Sequence, residues 1–127
     1  MDGTSNLIEA MRDAGASRLV YGCYDGEVCT YDPIAGGEAL VVIDIGSLVL
    51  ALAVFADPAT GAPRLACGCY DGVRVFDPVA GGEALLVIDV NAKALAMFTD
   101  PATGAPRLAC GCENGEVRIY DPLAGSE

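Results

Sequence analysis

The cysteines are the side chains of this sequence with the most evident chemical potential. Cys67 with Cys69, and Cys110 with Cys112, have a spacing that puts both thiols of a pair on one face of a β-strand. Four thiolates would satisfy a zinc ion, but zinc knuckles hold their cysteines on tight turns, whereas these pairs lie in strand-like runs of two different repeats. Positions i and i+2 of a strand are also about 6.5 to 7 Å apart, too far for an easy disulfide. We therefore interpret the pairs as small core residues, with reduced thiols and no bound metal or cofactor.

Acidic residues beside turns form the second group with chemical potential. Asp25 and Asp71 precede glycines, and such carboxylates are used elsewhere as calcium ligands or as an acid–base pair. The turns account for them equally well, because Asp-Gly favours a tight hairpin. The sequence also contains no histidine, which removes the commonest general base and metal ligand. We therefore predict no catalytic residue and no enzymatic activity.

Charge narrows the classes of partner. Lys and Arg number 7 against 18 Asp and Glu, so the 127 residues carry a formal net charge of −11. Such a surface repels phosphate backbones and anionic membranes, which excludes nucleic acid and membrane as expected partners and favours a basic protein segment. The apolar run 39–56 is interrupted by Asp44, Gly46 and Ser47, so it predicts two buried strands joined by a turn rather than a membrane span. The start of the chain lacks a secretion-signal pattern, which favours a cytoplasmic or nuclear protein.

An internal repeat organises these residues. The segments RLVYGCYDG, RLACGCYDG and RLACGCENG begin at Arg18, Arg64 and Arg107, which are 46 and then 43 residues apart. A period of this length suits four strands with their turns. We predict one domain, residues 1–127, with repeats at approximately 7–46, 47–91 and 92–127.

Turn residues divide each repeat into strands A to D. Asp-Gly or Asn-Gly at 25–26, 71–72 and 114–115 predicts a tight hairpin between B and C. Asp-Pro at 32–33, 77–78 and 121–122 ends strand C, because proline cannot donate to a strand ladder. The expected strands are A at 49–55 and 94–98, B at 19–23, 65–69 and 108–112, C at 28–31, 73–76 and 117–120, and D at 39–43 and 84–88. Strands A and D are apolar on both faces, so the sheets are expected to pack between other sheets as propeller blades do.

The beginning of the first repeat is ambiguous. The repeat register makes 7–11 the first strand A, whereas Asn6 with Glu9 forms a capping-box pattern and Gly15 suits a helix C-cap. We favour the strand, because a blade without strand A would leave the centre of a propeller unlined. The sequence ends at Glu127, where the other repeats begin strand D. Three blades less one strand are therefore expected to self-associate or to belong to a longer propeller.

The repeated segments resemble those of the WD-repeat β-propeller family. GCYDGEVCTYD, GCYDGVRVFD and GCENGEVRIYD each contain the turn after strand B and the aromatic–Asp pair that ends strand C in that family. The resemblance extends from about residue 18 to the end. Tyr31, Phe76 and Tyr120 stand where the family has Trp, and its Gly-His pair is absent, so its bracing network of Asp, His, Ser or Thr and Trp is not expected. The resemblance implies an all-β fold of about three propeller blades, each of four antiparallel strands, in an open ring.

The same resemblance implies a non-catalytic scaffold that binds another protein through loops at one end of its blades. The B–C turns then provide contact residues, because a tyrosine beside a turn is a common interface anchor. The candidate partner-binding residues are Tyr24, Asp25, Tyr70, Asp71, Lys93 and Glu113. Two alternatives remain open: an incomplete propeller whose main activity is self-association, and a propeller that binds metal or acts as an enzyme.

Overall fold

A computed structural model of the protein describes residues 7–22 and 26–127, and within these ranges it contains strands and turns but no helix. The strands form three antiparallel sheets, which confirms the all-β prediction. The first sheet contains β1 (Leu7–Asp13), β2 (Ala16–Gly22), β3 (Glu27–Tyr31) and β4 (Val41–Asp44). The second contains β5 (Val49–Ala56), β6 (Pro63–Cys69), β7 (Gly72–Phe76) and β8 (Leu86–Ile88). The third contains β9 (Ala92–Thr99), β10 (Pro106–Cys112) and β11 (Val117–Tyr120).

Each sheet is a meander in which consecutive strands pair with one another. The first strands of neighbouring sheets are in contact, β1 with β5 and β5 with β9, so the sheets stack face to face along their first strands. This is the arrangement of neighbouring blades in a partial propeller. The predicted blade architecture is therefore confirmed.

The ambiguous N-terminal segment is a strand. Residues from Leu7 to Asp13 pair with β2, with Met11 opposite Arg18. Gly15 has a φ of 87° and serves the turn between β1 and β2 rather than a helix end. The tertiary pairing has overridden the local capping pattern, as it does when a segment completes a sheet.

Two hydrophobic cores lie between the sheets. The core between the first and second sheets contains Val20, Val28, Ile43, Leu52, Leu65, Cys67 and Phe76. The core between the second and third sheets contains Phe55, Ala66, Val73, Val75, Leu108, Cys110 and Tyr120. Alternate residues of β5 enter different cores, Leu52 the first and Ala53 the second. Strand β5 is thus buried on both faces, as its uninterrupted apolar sequence predicts.

The outer strands are less buried than their sequence predicts. Val42 in β4 is 54% exposed and Val87 in β8 is 59% exposed, although their neighbours Ile43 and Ile88 are each 3% exposed. The prediction that strands D are covered on both faces is therefore wrong. The contacts between sheets run through β1, β5, β6 and β9, so an outer strand is covered on one face.

The apolar run 39–56 forms two strands, β4 and β5, joined by a turn, as predicted. No helix in the described part of the chain is long and apolar enough to span a membrane.

The Asp-Pro turns follow directly after strands β3 and β7, where the sequence predicts that these strands end. The backbone N–H groups of Ile34 and Ala35 donate to Asp32 Oδ1 at 2.9 and 3.0 Å. These two bonds hold the pKa of Asp32 below its ordinary value, with the bond from Ala35 contributing most. Asp77 makes the same pair of bonds in the second sheet. These carboxylates have a structural role, because each one closes a turn.

Candidate interaction surface

The β6–β7 and β10–β11 hairpins lie at the same end of the blades as the connections between sheets. Val49 begins β5 opposite Cys69, which ends β6, so the connection into β5 and the turn out of β6 are adjacent. In the third sheet, the backbone N–H of Glu113 donates to the carbonyl of Asn91 at 3.3 Å. We call this end, comprising residues 44–48, 70–71, 89–93 and 113–116, the hairpin end. The candidate residues Tyr70, Asp71, Lys93 and Glu113 all lie there, whereas Tyr24 and Asp25 are outside the described residues.

The β6–β7 hairpin projects a tyrosine and an aspartate. Cys69 pairs with Gly72, so the residues between the strands are Tyr70 and Asp71, not the predicted pair Asp71 and Gly72. Gly72 has a φ of 147° and remains in the ladder, and a Cβ atom there would lie 3.0 Å from the carbonyl oxygen of Ile88. Glycine is therefore required by both backbone conformation and close approach. Tyr70 is 61% exposed at the tip of this hairpin.

Arg74 holds the carboxylate of the hairpin in place. Its Nη2 donates to Asp71 Oδ2 at 3.0 Å, and the two side chains form an ion pair. This hydrogen bond lowers the pKa of Asp71 from its ordinary value, and the Ser47 side chain makes a smaller contribution in the same direction. Ser47 belongs to the connection between the first and second sheets. Asp71 is thus an ionised, positioned acceptor rather than a proton donor at neutral pH.

A cleft of about 450 Å³ lies between the β8–β9 connection and the β10–β11 hairpin. Its lining residues are Asp89, Val90, Asn91, Cys112, Glu113, Asn114, Glu116 and Arg118. Arg118 is engaged by Glu116 at 3.3 Å and by Glu127 at 3.4 Å. A hydrogen bond with Tyr120, followed by that with Glu116, raises the pKa of Arg118. Among the described residues Asp89 and Glu113 form no ion pair, so the cleft presents uncompensated negative charge.

The sequence located the hairpin end but missed most of the cleft. Glu113 lines it, whereas Lys93 is exposed on β9 nearby and is not among the lining residues. Asp89 and Arg118 were not among the candidate residues. Asp44 and Asp89 each follow directly after a predicted strand D. This repetition is the signal that could have identified the connection between sheets as part of the cleft.

Burial disfavours ionisation of three thiols, Cys67, Cys69 and Cys110. Cys67 and Cys110 are fully buried, one in each core. Burial raises the pKa of Cys110 to about 11 and raises that of Cys67 further. Cys69 Sγ donates to the carbonyl of Cys67 at 3.7 Å. The described residues include no group of three or more His, Cys, Asp or Glu side chains able to hold a metal ion. The sixth cysteine, Cys23, lies outside the described residues.

Comparison with known proteins identifies the fold. No protein-family model matches this chain, and no curated protein does either. A crystal structure of BBS1N in complex with ARL6DN, soaked with mercury, matches 91% of this chain with a TM-score of 0.68 and 21% identity. The same complex soaked with lead matches with a TM-score of 0.68 and 20% identity. This chain spans 36% and 37% of the length of those chains. The match confirms a β-propeller-type fold, while membership of the WD-repeat family is not established.

Proposed function

We propose that this protein is a non-catalytic scaffold that binds a basic segment of another protein at the hairpin end. The observation that carries the proposal is the acidic cleft, in which Asp89 and Glu113 are uncompensated beside the exposed Tyr70 hairpin. Both features are fixed to packed sheets rather than to long loops. A rigid surface of this kind limits the conformational entropy lost on binding.

The overall charge supports the same partner chemistry. A net charge of −11 attracts a cationic segment over long range, and the local carboxylates then determine where it docks. The two solved structures reported above are themselves of a complex, BBS1N with ARL6DN. We also propose a cytoplasmic location, where reducing conditions keep cysteines as thiols.

The described carboxylates support binding rather than catalysis. Asp32 and Asp77 are committed to turn hydrogen bonds, and Asp71 is committed to Arg74. General acid–base catalysis favours a carboxylic acid with a raised pKa, but the shifts of Asp32 and Asp71 are downward. No observation favours the alternative of a metal-binding or enzymatic propeller.

The test measures binding of a fluorescein-labelled poly-lysine peptide by anisotropy at low and high salt. The double variant Asp89→Asn with Glu113→Gln is expected to weaken binding several-fold, because it removes both uncompensated charges of the cleft. The control is Glu38→Gln with Glu83→Gln, which removes the same charge from exposed positions at the opposite end of the blades. Equal affinities for the two double variants would refute the proposed site, and absence of binding at low salt would refute the partner chemistry.

A further inference from the structure

The outer face of the third sheet repeats a surface that is buried inside the stack. In the second sheet Ala53, Phe55, Ala66, Val73 and Val75 are 0 to 7% exposed, because the third sheet covers them. Their equivalents in the third sheet are Ala96, Phe98, Ala109, Val117 and Ile119, identical except that Ile119 replaces Val75. We call these five residues, together with Ala94 and Gly111, the trailing face.

The trailing face is open to solvent. Phe98 is 46% exposed, Val117 is 69% exposed and Ile119 is 38% exposed. The intervening residues Leu95 and Met97 point the other way, into the core shared with the second sheet. The third sheet therefore has one apolar face inside the core and a second apolar face outside it. Large exposed apolar faces of this kind mark interaction surfaces.

The first sheet presents the complementary surface at the other side of the stack. Ile8 is 55% exposed, and Ala10 in the same strand and Pro33 after β3 are exposed as well. We call Ile8, Ala10, Leu19 and Pro33 the leading face.

Repeat equivalents of Ile8, Leu19 and Pro33 are buried in the second sheet. Leu52, the equivalent of Ile8, is 7% exposed, and Leu65, the equivalent of Leu19, is 0% exposed. Pro78 and Pro122 are fully buried, and the hydroxyl of Thr30 in the first sheet donates to the carbonyl of Pro78 at 2.9 Å. Pro33 occupies the same repeat position and is exposed.

A glycine of each of the first two sheets contacts a leucine of the sheet that packs on it. A Cβ atom at Gly22 would lie 3.5 Å from Leu52 Cδ1, and one at Gly68 would lie 3.4 Å from Leu95 Cδ1. At both interfaces, therefore, a leucine of the following sheet rests on the glycine of the preceding sheet. At Gly111 the neighbours within 4 Å are the Cβ and carbonyl oxygen of Ala94, in the same sheet. The equivalent position on Gly111, which we call the seat, is thus contacted by no leucine among the described residues.

Ile8 occupies the register position of the seated leucines. It lies opposite Tyr21 in β2, as Leu52 lies opposite Cys67 in β6, and Tyr21 and Cys67 are equivalent in the repeat. A second copy of the chain therefore offers the side chain that would fill the seat at Gly111.

We propose that the trailing face of one copy binds the leading face of a second copy, head to tail, with Ile8 of the second copy seated on Gly111. The contact continues the interface that already joins the three sheets within one chain. The contact joins two different faces, so two copies form a closed ring when the trailing face of each copy binds the leading face of the other. The resulting six sheets fall within the four to eight blades of known propellers. This inference goes beyond the proposed function, because it concerns the sheet faces and not the hairpin end.

The first test is the mass of the full chain by light scattering coupled to size-exclusion chromatography at micromolar concentration. The expected mass is about twice that of the 13.0 kDa chain. Ile8→Lys and Ile119→Lys are each expected to give the single-chain mass with an unchanged β-sheet circular dichroism spectrum. Gly111→Leu is expected to do the same, because its side chain has room in one chain but blocks the seat. The control Leu85→Lys introduces the same charge at a position that is 57% exposed and belongs to neither face, and it keeps the double mass.

Mixing distinguishes a head-to-tail contact from contacts between identical faces. Ile8→Lys retains an intact trailing face and Ile119→Lys retains an intact leading face, so an equimolar mixture is expected to regain a two-chain species. A folded wild-type chain that remains at 13.0 kDa would overturn the proposal. So would two-chain mass in either folded variant alone, or failure of the folded variants to associate when mixed.

Discussion

Gly72 provides a quantitative test of the hairpin that carries Tyr70 and Asp71. Gly72→Ala places a Cβ atom on a residue with a φ of 147° and 3.0 Å from the carbonyl oxygen of Ile88. Backbone strain of this kind costs on the order of 1 to 3 kcal/mol. The overlap with a backbone atom adds roughly 1 to 3 kcal/mol, because β8 must shift to relieve it. We therefore expect Gly72→Ala to lower the free energy of unfolding by about 2 to 6 kcal/mol.

Gly115→Ala is the matched control. Gly115 has a φ of 89° in the corresponding hairpin of the third sheet, but a Cβ atom there meets nothing within 4 Å. The control therefore carries the conformational cost alone, about 1 to 2 kcal/mol. Urea unfolding followed by circular dichroism measures both variants in the Ile119→Lys background, in which a single-chain species is expected. A urea m-value of about 1 to 3 kcal/mol per M predicts midpoints separated by roughly 1 M. If Gly72→Ala is no more destabilising than Gly115→Ala, the inference that a Cβ atom at position 72 collides with the carbonyl oxygen of Ile88 is wrong.

Three further predictions follow from buried or paired groups. Thr30→Val is expected to lower the free energy of unfolding by about 1 kcal/mol or more, because the buried carbonyl of Pro78 loses its hydrogen bond. Thr30→Ser keeps the hydroxyl and most of the stability, so equal urea midpoints for the two variants would exclude the bond. Burial raises the pKa of Cys110 from 9.0 to about 11 in the folded chain, so its contribution to stability is present below pH 9 and is lost as the pH rises towards 11. Cys110→Ala should therefore reduce the dependence of the free energy of unfolding on pH in this range. An unchanged dependence would contradict the raised pKa. Arg74→Met is expected to raise the pKa of Asp71 towards its ordinary value in an NMR titration, since Arg74 is the main cause of the lowered pKa; an unchanged titration would contradict the ion pair.

The strands could be predicted because their determinants are local. Asp-Pro ends β3, β7 and β11 through turn hydrogen bonds made within a few residues, such as those from Ile34 and Ala35 to Asp32. The repeat then extends each local inference to the other sheets. The first strand was ambiguous for the same reason, since the local signals of residues 6–15 favoured a helix and only the repeat favoured a strand. Pairing with β2 decided the outcome.

Burial of the outer strands and the composition of the cleft could not be read from the same pattern. Val42 and Ile43 are equally apolar in sequence, yet one is 54% exposed and the other 3%, because the sheets contact one another through their inner strands. Asp89, Glu113 and Arg118 come from different segments and meet because the β8–β9 connection lies beside the β10–β11 hairpin.

The sequence by itself therefore determined the repeats, the approximate positions of the turns and the strand order, since each depends on neighbouring residues or on comparison between repeats. Only the tertiary structure decided which of two equivalent residues is covered. Val73 and Val117 occupy the same repeat position, but Val73 is 0% exposed and Val117 is 69% exposed. The difference arises because a third sheet lies against Val73, and burial depends on what packs across a face rather than on the residue itself.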